Sequence, residues 1–287
     1  MKIISDILPF FLLELKGFYD DREIKSLAYI SIEHILKMSK SNTLVNGNLT
    51  IEDCKIAEIK STVFSLKKYK PIQYIFMETE FYNNLFYCSS RSLIPRSETE
   101  ELVDWIVKDN KYDTKDYLDI GTGGGCIIIS LCKSLKGTFT GVDISSDALK
   151  VAMINNDINK TNVSFETVDI FDYDKDLAPS KLNIKYDIIV SNPPYVLNSE
   201  KKQMKKNVLD WEPNIALFVE DDDPLIFYNN IADIAKNILN KNGKLYFEIN
   251  ERFGKEIVEL LEKKGFVNIE LKKDINDKDR MIKAIWK

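Results

Sequence analysis

The sequence predicts an α/β protein: a doubly wound, mostly parallel sheet with an antiparallel edge strand, preceded by a small N-terminal helical domain. Three observations carry that expectation. Up to about residue 70 apolar residues recur at helical spacing, whereas from residue 96 onward short apolar runs alternate with helical patterns. Between residues 117 and 131 a strand, a glycine loop and a helix follow in direct succession. A length of 287 residues suits two unequal domains, since a domain usually holds about 100–200 residues.

In the helical part, residues 1–70, the recurring positions are Ile24, Leu27, Ala28, Ile30, Ile35 and Leu36, then Ile51, Ile56, Ile59, Val63 and Leu66. Thr50 with Asp53 reads as a capping box opening the third helix, after a turn at Asn46-Gly47-Asn48. Residues 71–95 read as a connector built on a hairpin: Glu80-Phe81-Tyr82, turn residues Asn83-Asn84, then Leu85 to Cys88. In residues 96–287 the strand candidates are Tyr117–Ile120, Thr138–Asp143, Val163–Val168, Asp187–Ser191, Lys244–Glu248 and Val267–Leu271. The last run, Met281–Trp286, follows a loop holding Asp274, Asn276 and Asp277 and is the expected antiparallel edge strand.

Composition removes several function classes. With 44% apolar and 30% charged residues and no run of about 18 apolar residues, the chain builds a core but no membrane span. Met1 to Asp6 lacks a basic start and Pro9 interrupts Leu8 to Leu13, so no export signal is read. Cys54, Cys88, Cys126 and Cys132 form no C-x-x-C pair, which argues against a disulfide framework or a zinc site and for a reducing, cytoplasmic setting. The single histidine, His34, sits in a helical stretch; an inventory of one excludes a Ser-His-Asp triad or a histidine-rich metal site elsewhere, and no metal is expected. Residues 1–95 hold 12 basic and 11 acidic side chains of the chain's 40 and 45, so neither part is a basic surface and a nucleic-acid partner is disfavoured.

Tyr117 to Ile120 leads into Gly121-Thr122-Gly123-Gly124-Gly125 and then Cys126 to Leu131, the nucleotide-binding corner of a doubly wound sheet. Alone, the loop is equally a glycine-rich helix entrance without a ligand. Asp143 shifts the balance: it ends the next strand, 22 residues after Gly121, where an acid accepts hydrogen bonds from ribose hydroxyls. A dinucleotide fingerprint needs a third glycine at position 126, and Cys126 stands there, which disfavours a dinucleotide-dependent oxidoreductase. S-adenosylmethionine carries no diphosphate, and Asp119, just before the loop, suits its ammonium group. Asp169 is placed to meet the adenine amino group, with Ile170 and Phe171 to pack on the ring, although Asp169 also suits a cap for the following segment.

Asn192-Pro193-Pro194-Tyr195 stands at the carboxyl end of the apolar run Tyr186–Ser191, where open α/β sheets bind ligands. By itself it reads first as a turn. A planar amide or amino nitrogen is a poor nucleophile because its lone pair is delocalised. The Asn192 side-chain oxygen and the Pro193 carbonyl supply two acceptors for its N–H bonds, and Tyr195 supplies an aromatic face; the nitrogen is thereby aimed at an activated methyl group. The expectation is an S-adenosylmethionine-dependent N-methyltransferase with a class I methyltransferase-like sheet, acting on a planar nitrogen of a glutamine, an adenine or a cytosine.

These residues, together with Pro71-Ile72-Gln73-Tyr74, Glu80-Phe81-Tyr82, Ile94-Pro95-Arg96-Ser97-Glu98-Thr99-Glu100, Glu212-Pro213, Ala216-Leu217 and Asp279-Arg280, make the chain resemble the HemK-type protein-glutamine N5-methyltransferases of peptide-chain release factors. The resemblance implies methylation of the glutamine in a Gly-Gly-Gln motif and a helical domain that helps hold the release factor; separately, a monomer is expected. Alternatives of related chemistry are a ribosomal-protein glutamine and an N6-adenine in nucleic acid. Ser97 stands where the family commonly has a second proline, Met77 where glycine is usual and Gly124 where Ser or Thr is common. Arg96 and Glu98 are candidates to line the substrate pocket; Ser97 with Glu100 equally reads as a capping box. The lysine-rich stretch from Asn198 to Val208 is expected to be a solvated loop rather than a flap.

Overall fold

The helical periodicity of the N-terminal residues becomes α1 (Ile7–Glu14), α2 (Asp21–Leu36), α3 (Lys40–Val45), α4 (Asp53–Leu66) and α5 (Ile72–Phe76) in the computed structural model, which describes residues 1–174 and 180–287. Phe11, Leu15, Ile24, Ala28, Ile59 and Val63 close on one another as this unit's core. α2 begins where the Asp20 side chain accepts the Glu23 N–H at 2.8 Å, satisfying one of the first-turn donors that a helix leaves unpaired. The expected Thr50–Asp53 box does not form. Thr50 is engaged instead in an antiparallel bridge with Ile3, and α4 starts after Glu52 without a side-chain cap.

The helical unit extends past residue 70, comprising Met1–Met77 and a return segment, Lys205–Trp211. Trp211 Nε1 donates to the Lys68 carbonyl at 3.0 Å, and Lys205 Nζ pairs with Glu23 at 3.0 Å. Part of the lysine-rich stretch is helical, at Asn198–Gln203 and from Lys206 onward, but none of these residues is buried, so it is solvated as expected without being an irregular loop. His34 stacks on Phe76 with ring centroids 4.1 Å apart, a packing role. Met77 ends α5 with φ 56°, a left-handed conformation that costs a non-glycine residue about 1–2 kcal/mol. That is the physical reason a glycine suits this position.

The second unit, Glu78–Met204 with Glu212–Lys287, begins with the hairpin β1 (Glu78–Phe81) and β2 (Asn84–Tyr87). Tyr82 and Asn83 both take positive φ, as a two-residue turn matched to strand twist requires. Phe81 and Phe86 are buried among Leu102, Ile106, Ile128 and Ile129, so the hairpin is part of this unit's core and not a bare linker. There follow α6 (Ser97–Asn110), β3 (Thr114–Ile120), α7 (Cys126–Ser134), β4 (Lys136–Asp143), α8 (Ser146–Asn159), β5 (Val163–Thr167), β6 (Tyr186–Ser191) and β7 (Val196–Leu197). After the short helix α9 (Lys206–Leu209) of the return segment come β8 (Phe218–Val219), α10 (Ile226–Ile238), β9 (Leu239–Glu248), α11 (Gly254–Lys264), β10 (Val267–Lys273) and β11 (Asp279–Ile285).

Seven strands pair in the order β10-β11-β9-β6-β3-β4-β5, parallel except for β11, which runs antiparallel to both neighbours. The antiparallel strand lies one place further in than expected, between β9 and the outermost β10. Alternate residues of each central strand serve opposite faces: Tyr117, Ile188 and Tyr246 pack with α6 and α7, while Leu118, Ile189 and Leu245 pack with α10 and α11. Burial on both faces explains why these strands read as continuous apolar runs. Strand order reverses at β3, so the crevice beyond the carboxyl ends of β3, β4 and β6 is the topological switch point at which such sheets bind ligands.

Candidate active site

A cavity of about 250 Å³ opens at that switch point, and all of its lining residues belong to the second unit. β3 delivers Ile120 and the loop Gly121 to Gly124, β4 delivers Asp143, and β6 delivers Ser191 and Asn192 to Pro194. Asp169, Ile170 and Phe171 line it as well. The structure thus brings together residues spread over more than seventy positions.

Gly121 and Gly123 hold φ of +74° and +55°, a region glycine occupies without strain, and nothing lies within 4 Å of where a Cβ would stand on either. The backbone is bare toward the cavity. Gly125 serves otherwise: it is absent from the lining, and a Cβ there would meet Ile129 Cδ1 at 2.9 Å, so it allows α7 to pack. At Gly124 a Cβ would stand 3.2 Å from Ser92 Oγ, a contact that must give slightly if Ser or Thr is to fit.

Asp143 grips the loop before it grips any ligand. Its Oδ2 accepts the Gly123 N–H and its Oδ1 the Ser145 N–H, both at 2.8 Å. Each carboxylate oxygen keeps a further lone-pair direction, which matches a pair of ribose hydroxyls. Burial raises its carboxyl above the ordinary range, opposed by those two backbone donors. Asp169 accepts the Phe171 N–H at 2.9 Å, the cap foreseen for it, and also lines the cavity. Phe171 meets Phe227 edge to face, centroids 5.2 Å apart, forming an aromatic wall that sequence reading found only by half.

Four sequence candidates, Glu98, Asp119, Gly125 and Tyr195, lie off the cavity lining. Asp119 is fully buried; its Oδ2 accepts from Thr122 Oγ1 at 2.7 Å, while Oδ1 has no partner of good geometry. Burial pushes its carboxyl up to about 7. It underlies the loop. Glu98 accepts from Ser97 Oγ at 3.0 Å, and Glu100 caps the Tyr82 N–H at 2.9 Å, so no Ser97–Glu100 box forms. Arg96 does line the cavity, held by Glu212 at 2.8 Å, and the other Glu212 oxygen accepts the Ile94 N–H at 3.2 Å.

Within the tetrad, Asn192, Pro193 and Pro194 line the cavity and Tyr195 turns inward. The Tyr195 hydroxyl donates to Glu248 Oε1 at 3.0 Å, and Asn250 Nδ2 donates to the Tyr195 carbonyl at 3.0 Å. Its ring therefore does not supply the aromatic face expected from sequence. Thr99 Oγ1 donates to the other Glu248 oxygen at 2.6 Å and accepts from Asn192 Nδ2 at 3.2 Å. Glu248, wholly buried, has its carboxyl raised by desolvation against the pull of those two hydroxyls and Arg280. Sequence reading left out Thr99 and Glu248; for Glu248 the one local signal was an acid closing the apolar run Leu245–Phe247 at the end of β9.

Bare loop backbone, a ribose-type carboxylate and an aromatic wall fit an adenosine-bearing ligand, and Asn192 faces it across the switch point. The site and fold define a methyltransferase domain of the open α/β kind, and a family model described as a methyltransferase domain matches residues 111–287. A methyltransferase from Pyrococcus furiosus shares the fold, with a TM-score of 0.50 at 16% identity over 70% of this chain and 87% of its own. A release factor glutamine methyltransferase from Flavobacterium psychrophilum is 45% identical over 98% of this chain and 99% of its own length. Another, from Bacteroides thetaiotaomicron, is 42% identical over 94% and 95%. The chain belongs to the release factor glutamine methyltransferase family.

Proposed function

We propose that this protein transfers the methyl group of S-adenosylmethionine to the side-chain amide nitrogen, N5, of the glutamine in the Gly-Gly-Gln motif of peptide-chain release factors. The observation that carries this reading is Asn192: its amide nitrogen is tied to Thr99, which leaves the side-chain oxygen as an acceptor at the cavity. With the Pro193 carbonyl it can hold both N–H bonds of one amide, orienting the nitrogen lone pair and stabilising positive charge as the C–N bond forms. Pro194 carries no N–H to compete for that corner. When bound, S-adenosylmethionine supplies an electrophilic methyl on a sulfonium, needing no metal or histidine base. Gly121 to Gly124, Asp143 and Asp169 would hold it, with Ile170 and Phe171 against the adenine; Arg96 would face the substrate peptide.

The reading brings with it a cytoplasmic setting, a monomer, and a role for the helical unit in holding the release factor. Among the described residues no helix is long and apolar enough to cross a membrane. The test is incubation with methyl-labelled S-adenosylmethionine and, separately, release factor, ribosomal protein and duplex DNA. Label on the release factor glutamine is expected; label only on ribosomal protein or only on DNA overturns the substrate assignment.

A further inference from the structure

We infer that Glu248 and Thr99 are positioning residues that fix which way the Asn192 amide faces, and that the rate of methyl transfer depends on this chain of three side chains. The inference rests on the proposed glutamine chemistry and deepens it.

An Asn side chain can be turned over at little steric cost, exchanging its donor and acceptor, so something must hold it one way round. Here the sense of the chain is set at Glu248. Both carboxylate oxygens are acceptors, and each takes a proton from a hydroxyl, Thr99 at 2.6 Å and Tyr195 at 3.0 Å. A threonine hydroxyl has a single proton, and that of Thr99 is committed to Glu248. Toward Asn192 it presents only lone pairs, and only Nδ2 can approach them, as it does at 3.2 Å. Turned over, Asn192 would set its oxygen against the Thr99 oxygen and point its NH2 group at the substrate's own N–H bonds. Both faces of the amide would then be mismatched.

The surrounding structure holds the anchor still. Glu248 is wholly buried, and its own carbonyl accepts from Tyr228 at 3.2 Å. Arg280, bonded to Asp274 at 3.1 Å and to the Ile249 carbonyl at 3.2 Å, supplies a neighbouring positive charge. Thr99 is buried in the first turn of α6, so the orientation of the residue that follows β6 is dictated from α6 and β9. An acceptor held in its reactive orientation needs no reorganisation during the reaction, which is where such groups gain their effect.

The experiment measures kcat and KM for methylation of a release factor by the full chain, with S-adenosylmethionine affinity by calorimetry. Thr99→Val keeps the shape and removes the hydroxyl; kcat is expected to fall about 10–100-fold, by analogy with the loss of a hydrogen-bond partner that orients a metal ligand. Cofactor affinity should change far less. Thr99→Ser should recover most of the rate, and Glu248→Gln, which can donate as well as accept, should lose rate as Thr99→Val does. In an Asn192→Ala background neither Thr99→Val nor Glu248→Gln should slow turnover further, because residues acting through one group are not additive. Normal turnover in Thr99→Val, equal loss in Thr99→Ser, or a further loss on top of Asn192→Ala would each overturn the inference. A wild-type chain that leaves the release factor unlabelled defeats the substrate reading instead.

Discussion

The loop Gly121 to Gly125 and the tetrad Asn192 to Tyr195 lie side by side, at the carboxyl ends of adjacent strands β3 and β6, yet they are built in opposite ways. The loop acts through backbone: positive φ at Gly121 and Gly123, and one carboxylate, Asp143, tying it from the next strand. The tetrad's Asn192 and Tyr195 side chains take their partners from far away in the chain, Thr99 on α6 and Glu248 on β9. A site can thus be half local and half assembled. On the proposed function the local half holds the cofactor and the assembled half orients the reacting nitrogen, so damage to each should show in different constants.

The sharpest division is expected at Asn192. Asn192→Ala removes an acceptor that works at the reacting nitrogen, and kcat should fall about 10²–10³-fold, comparable to loss of one oxyanion-hole donor. S-adenosylmethionine affinity, measured by calorimetry, should move much less. Near-normal turnover would reduce the tetrad to a turn and erase the contrast.

Asp143→Ala should behave in the reverse sense. The carboxylate offers hydrogen bonds worth ~1.5–3 kcal/mol each to a charged acceptor, so the dissociation constant for S-adenosylmethionine should rise at least about tenfold. Turnover at saturating cofactor should be the less affected quantity. An unchanged affinity would show that Asp143 serves only the Gly123 and Ser145 backbone.

The same contrast explains what the sequence disclosed. The place of Gly121, Gly123 and Asp143 at the cavity was legible because it follows from short-range spacing in a strand-loop-helix unit, and the alternation of runs disclosed the sheet. Asn192 was legible by position. Thr99 and Glu248 were not, since a buried hydroxyl on an amphipathic helix and an acid closing a short apolar run gain their partners only once β9 and β6 pair. Tyr195 and Asp119 misled for the same reason. Their neighbours in the chain reach the cavity, and the pleat and the loop turn their own side chains into the interior.

Asp119 yields an effect outside the catalytic constants, one on stability. Its buried carboxyl titrates near 7, well above the ordinary aspartate range, because desolvation outweighs the Thr122 hydrogen bond. Between about pH 4 and 7 the unfolded chain has released this proton while the folded chain retains it, so folding stability falls as pH rises through that window and levels off above it. The slope from one such group is at most about 1.4 kcal/mol per pH unit. Asp143 and Glu248, raised in the same direction by burial, add to the decline. Asp119→Asn should therefore flatten the pH dependence of urea unfolding between pH 5 and 7 without abolishing it. An unaltered slope would mean that Asp119 is ionised in the folded chain, and that a charge, not a neutral hydrogen-bonded acid, lies beneath the loop.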